Sequence, residues 1–154
     1  MSEYVIRGVP APIVPRLWHL AEPFVKRALD HATGEILPED LRSSCERRDA
    51  QLWLVSNKER AVGAAVTEIV NYPQRKHCVV LTIGGSGFPE WMEQLDQLLC
   101  AWAASQGCEV MEAHVRRGLV PRLAPIGYRH LHSIVYKPLT MPQNAAQELQ
   151  TVEA

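Results

Sequence analysis

At 154 residues the chain has the size of one ordinary domain, large enough to bury a single core. Its 16 Lys and Arg against 17 Asp and Glu leave a net charge of −1, so no global field draws it to nucleic acid or to an anionic membrane, and neither is expected as a partner. The four cysteines, Cys45, Cys78, Cys100 and Cys108, lack the close spacing of a zinc or redox motif. With no leader-like N-terminus and no apolar run of membrane-spanning length, they read as reduced thiols in a cytoplasmic protein.

The chain opens on YVIRGVP, weakly alternating and bounded by proline, which suits a short edge strand. Leu17, Leu20, Phe24, Val25 and Leu29 then recur at helical spacing, and Pro23 is expected to kink or divide that helix. Pro38 sits where a second helix can start, with Glu39 and Asp40 favourable in its first turn. QLWLVSN, AVGAAVTEIVNYP and RKHCVVLTIGG follow as three strands joined by short turns, most simply an antiparallel meander. After the glycines comes the clearest helix, with Trp91, Leu95, Leu98, Leu99 and Trp102 on one face and Gly107 as its stop. CEVMEAHV reads as a strand laid parallel to the third meander strand by a helical crossover. RRGLVPRLAPIG is a short helical or irregular piece, and YRHLHSIVYKPL is expected to close the fold as a last strand. Residues 1–139 therefore read as one α/β domain with a mixed, mostly antiparallel sheet, and 140–154 as a peripheral tail.

This element order, with the corner LTIGGSGFPEWMEQL between a strand and the main helix and the closing IGY before a strand, resembles the GNAT superfamily of acyl-CoA-dependent N-acyltransferases over about residues 4–139. The resemblance implies that acetyl-CoA is the co-substrate and that an amine, on a small molecule or a protein, is the acceptor. Carried over by position, Val80, Leu81, Thr82 and Ile83 would pair with the pantetheine arm. Gly84, Gly85, Ser86 and Gly87 would cradle the pyrophosphate, since glycines admit close approach and a helix N-terminus offers free donors. The enzyme would hold a V-shaped cleft between 80–84 and 109–115.

The corner departs from the family pattern. It contains no basic residue, Pro89 has no N–H, and Glu90 places a negative charge where a phosphate would sit. The family's proton-donating tyrosine would fall on Leu123, and its asparagine on Arg116. For the general base, Glu68 on the second meander strand is the first candidate, with His77 beside it and Glu112 and His114 behind.

Other chemistries fit less well. A nucleophile elbow at Ser86 would need glycine at position 88, which is Phe88, and no Walker loop is present. His130, His132 and His114 could converge on zinc, but a polar strand face explains them more simply, so no metal is expected. Two functions follow: an N-acetyltransferase, or a GNAT-like module without catalysis, of the sort bacteriophages carry for the virion or for host takeover. A homo-oligomer or a protein partner fits either reading; in the second, side chains such as Phe88 fill the cleft or a partner covers an apolar face.

Overall fold

The computed structural model describes residues 3–140. Five strands, β1 (Tyr4–Val9), β2 (Gln51–Asn57), β3 (Arg60–Asn71), β4 (Lys76–Gly85) and β5 (Val110–Ala113), lie side by side in chain order. The first four are antiparallel to their neighbours, and β5 is parallel to β4. Helices α1 (Val14–Leu29) and α2 (Pro38–Glu46) precede β2, and α3 (Phe88–Ser105) makes the crossover from β4 to β5. A short helix, α4 (Val120–Leu123), follows between two 3-10 turns. The meander, the parallel crossover and the mixed sheet are as the sequence indicates.

The strand sequences are apolar on consecutive residues because the sheet is covered on both faces. Leu52, Leu54, Ala64 and Val66 face α1 and α2, where they bury Val14, Trp18, Ala21, Val25, Leu41 and Cys45. Trp53, Val55, Ala65 and Val80 face the other way, against Trp91, Leu95 and Leu99 of α3. The indole of Trp53 is inside and polar at one end, and its N–H donates to Thr67 Oγ1 at 3.0 Å. Of the expected α3 face, Leu98 lies at the margin, 36% exposed, and Ala103 is buried beside Leu99. Cys45 and Cys78 are buried thiols, pushed by that burial to about 12 and about 11 respectively.

Two expectations are corrected. Pro23 does not divide α1, which runs unbroken from Val14 to Leu29. Pro23 and His19 both lie on the exposed side, so the carbonyl that proline leaves without an N–H partner can be met by water. The closing strand is absent: residues 128–140 form no strand, and 129–140 are exposed throughout. A strand needs a neighbouring backbone, and among the described residues none is paired with this segment. The expected tail at 140–154 falls, beyond its first residue, outside the described residues.

The glycines at the end of β4 have a packing reason. A β-carbon on Gly63 would stand 2.7 Å from the Trp91 ring, and one on Gly85 would stand 2.3 Å from the Val62 carbonyl oxygen. Both positions are bare so that the Trp91 indole can lie on the backbone of β3 and β4. Gly85→Ala is therefore expected to lower the unfolding free energy by about 3 kcal/mol, through overpacking and backbone strain. Gly118→Ala, whose β-carbon meets nothing within 4 Å, should stay within about 0.5 kcal/mol of wild type. Urea unfolding of the two variants checks both.

Candidate functional site

The corner between β4 and α3 is built around Trp91. Its indole N–H donates to the Ser86 carbonyl oxygen at 2.8 Å, and the Ser86 N–H donates to the Val62 carbonyl oxygen at 2.8 Å. Both backbone groups of Ser86 are thus committed inside the protein. Gly87 caps α3 in the left-handed conformation, φ 68°, which favours glycine. The N–H groups of Gly87 and Phe88 have no hydrogen-bond partner among the described residues. They are the donors a bound anion could use, but the Glu90 carboxylate lies near them, held by the hydroxyl of Tyr4.

Along β4 the sheet comes apart. β5 pairs with β4 from His77–Val110 to Val80–Ala113, and the His114 N–H to the Val80 carbonyl oxygen, 3.1 Å, is the last rung. From Leu81 to Gly85, β4 has β3 on one side and, among the described residues, no strand on the other. A register shift opposite Val66 and Thr67 leaves Leu81 without a partner in β3 and marks the point of departure. Beyond it lies a narrow apolar cleft of about 30 Å³, walled by Val80 and Ile83, by Phe88 and Met92 of α3, and by Leu123 and Tyr128. Phe88 lines this cleft and packs edge-on against Trp91, ring centres 5.1 Å apart. Within β4, the Thr82 hydroxyl is buried with no hydrogen-bond partner among the described residues.

At the mouth of the splay, on the sheet face that carries Val79, three polar residues meet. Glu112 accepts from His114 Nε2 at 2.6 Å through one carboxylate oxygen, and its other oxygen lies 3.1 Å from His77 Nδ1. The Tyr72 ring packs against the His77 ring at 4.7 Å. Burial pushes the Glu112 carboxyl up, but the hydrogen bonds from His114 and His77 outweigh it, and the group titrates below its usual value. His77 is largely covered, whereas the His114 side chain is 55% exposed.

The residues singled out from sequence divide accordingly. Val80 to Ile83 lie on the unpaired stretch of β4 or at its start, and Gly84 to Gly87 form the corner. Gly85, however, directs its missing side chain into the protein, so it supports the corner from behind. Glu68 sits on β3 opposite Val79, on the same face as Glu112 but two strands from it, and its side chain makes no ion pair or hydrogen bond among the described residues. His130 and His132 lie on the exposed 129–140 segment. Among the described residues no group of three His, Cys, Asp or Glu is arranged to hold a metal ion.

Glu112 and His114, placed behind Glu68 as base candidates from sequence, are the residues that meet His77 in this cluster. Their i, i+2 spacing in CEVMEAHV places both on one face of a strand. Tyr128, beside Gly127 in the IGY step, lines the cleft and donates to Asp96 Oδ1 at 2.7 Å. Burial and then the neighbouring Asp96 raise its phenol well above the usual range.

No family model matches the sequence, and neither does any curated protein. Solved structures do match. One is an aminoglycoside acetyltransferase, meta-AAC0020, from an uncultured soil metagenomic sample. It superimposes with a TM-score of 0.67 at 9% identity, over 90% of this chain and 97% of that one. The aminoglycoside N-acetyltransferase AAC(6')-Iy in complex with CoA gives 0.65 at 12% identity, over 92% and 97%. The glucosamine-6-phosphate N-acetyltransferase of Arabidopsis thaliana gives 0.59 at 13% identity, over 89% and 99%. No helix among the described residues is long and apolar enough to cross a membrane. The chain has the fold of the GNAT acetyltransferases, with a mixed five-stranded sheet between two helical layers and a splay after Val80.

Proposed function

We propose that the protein is an N-acetyltransferase that transfers the acetyl group of acetyl-CoA to an amine. The observation that carries this reading is the splay after Val80, which leaves one side of the 81–85 backbone unpaired beside an apolar cleft. An extended amide-bearing arm could use those backbone groups as a strand would, and the cleft would exclude water from the thioester. A neighbour of the same fold binds CoA, which supports the choice of co-substrate.

The chemistry assigned to this chain is positioning and proton removal. His114, at the last rung, takes the proton from the attacking amine. Glu112 fixes the ring through Nε2, leaving Nδ1 turned to the substrate, and His77 holds the other carboxylate oxygen. Glu68 and Glu112 make the face anionic, suited to an acceptor that arrives as an ammonium ion. The departing thiolate, whose conjugate acid lies near the free-thiol value of roughly 8.5, takes its proton from solvent as the product leaves the cleft, so a tyrosine at position 123 is dispensable.

A second reading, a GNAT-fold binding module without catalysis, is favoured by the donor count at the corner. Ser86 is committed, Pro89 has no N–H, and Glu90 adds a negative charge. Calorimetry with acetyl-CoA separates the two, and no heat of binding at millimolar ligand would leave the module reading standing. Glu90→Gln is expected to tighten acetyl-CoA binding about five- to tenfold, through removal of about 1 kcal/mol of repulsion.

His114→Ala should lower kcat by ~10²- to 10³-fold while the calorimetric Kd for acetyl-CoA stays within about twofold. If Glu68→Gln produces that loss and His114→Ala does not, the base is Glu68. The lowered Glu112 pKa also has a stability consequence. A carboxyl depressed on folding stabilises above its ordinary 4.5 and loses that contribution as pH falls through the lowered value. Glu112→Gln should thus be about 1 kcal/mol less stable than wild type at neutral pH. The gap should close on acidification past the ordinary value, as read by thermal unfolding across pH.

A further inference from the structure

Two polar side chains among the described residues are buried in the sheet, Thr67 and Thr82, and their hydroxyls fare differently. That of Thr67 accepts from Trp53 Nε1 at 3.0 Å and donates to Gln51 Oε1 at 2.9 Å. That of Thr82, a residue only 5% exposed, has no partner among the described residues. A buried hydroxyl left unpaired destabilises a fold, and valine would fill the same space without that cost. A polar group kept at such a position points to a partner that arrives later.

Thr82 stands where the sheet opens, on the stretch of β4 that β5 does not pair. Its cross-strand neighbour is Val66, which packs under α1 and α2. The Thr82 side chain is therefore on that face of the sheet, opposite to Val80 and Ile83. His114 follows Ala113, the partner of Val80, so alternation puts its side chain on the same face as Thr82, and its contact with Glu112 agrees. An imidazole on the β5 side and an unpaired hydroxyl on the β4 side thus flank one opening.

We propose that the Thr82 hydroxyl donates to the carbonyl oxygen of the bound thioester and holds the negative charge that develops there, a role that rests on the acetyltransferase reading. The 81–85 stretch pairs with the pantetheine arm, and the arm's last carbonyl, that of the thioester, comes to lie at the vertex beside Thr82. The amine nitrogen attacks the carbonyl carbon and forms the C–N bond while the C=O electron pair moves onto oxygen, where the Thr82 O–H meets it. The pair returns as the C–S bond breaks, the amine's proton passes to His114, and the thiolate leaves. A neutral donor suits this place, because it stabilises an oxyanion without repelling an acceptor that arrives as an ammonium ion. The hydroxyl gives up no bond when the ligand arrives, so the interaction is formed without a protein bond being broken for it.

Acetyl-CoA isotope-labelled at its acetyl carbonyl carbon and bound to the full-length protein tests this, by infrared difference spectroscopy beside calorimetry. With wild type the carbonyl stretch should move to lower wavenumber on binding. In Thr82→Val the band should return toward its position in free acetyl-CoA, while the Kd for CoA, which has no acetyl group, stays within about twofold of wild type. Thr82→Ser should keep the wild-type band. Urea unfolding without ligand should find Thr82→Val at least as stable as wild type and Thr82→Ser, which loses a buried methyl group, less stable. The band then follows the hydroxyl and not the stability. A band unmoved by Thr82→Val, or lost in Thr82→Ser, overturns the proposal and leaves the acetyltransferase reading intact. A CoA affinity that falls by more than about twofold in Thr82→Val puts the hydroxyl on a pantetheine amide and overturns it too. A lowered urea midpoint in Thr82→Val does the same, since the hydroxyl would then be paired before any ligand binds. No heat of binding with wild-type protein at millimolar acetyl-CoA removes the reading and the proposal together.

Discussion

The seat of the Trp91 indole on Gly63 and Gly85 governs the rest of the molecule. A fully buried ring lies flat on two backbones that have no side chain to offer, and its one polar atom is discharged into the Ser86 carbonyl. That contact sets how closely α3 approaches β3 and β4. It fixes the corner, the start of α3 and therefore the wall of the cleft that Phe88 and Met92 form. The glycines that look in sequence like a ligand loop are in large part the floor under a tryptophan. The two roles are compatible, since a backbone drawn tight against a buried ring also presents the next N–H groups, of Gly87 and Phe88, outward at fixed positions.

The corner is less generous to a phosphate than its composition suggests. Three glycines near a helix N-terminus imply open donors, but Ser86 is occupied on both sides and Pro89 has nothing to donate. The carboxylate of Glu90, tied to Tyr4 across the sheet edge, lies where an anion would come. Affinity for a CoA-type ligand would thus rest on the strand-like stretch after Val80 and the apolar cleft more than on the pyrophosphate.

Much of this was legible in the sequence because local chemistry and tertiary context agree. Pro38 with two acids begins α2 where expected, and the three β-rich runs with their short turns become the meander. The Trp91 and Leu95 stripe is buried. Pro23 misled because an exposed proline inside a long amphipathic helix loses one hydrogen bond to water, while the buried face, carrying Trp18, Ala21 and Val25, holds the helix together. The 128–139 segment misled in another way. Its residues have every local preference for a strand, but a strand is a relation between two backbones, and local preference does not say where the second one is. The histidine and carboxylate cluster was obscured for a similar reason. His77 and Glu112 are 35 residues apart and meet only through the parallel register of β4 and β5.

That register has one more consequence. The contact between His77 and Glu112 joins β4 to β5 through side chains, close to where their backbone pairing ends at Val80 and Ala113. It acts as a rivet near the vertex of the V. The two strands cannot unzip further without parting a carboxylate from an imidazole.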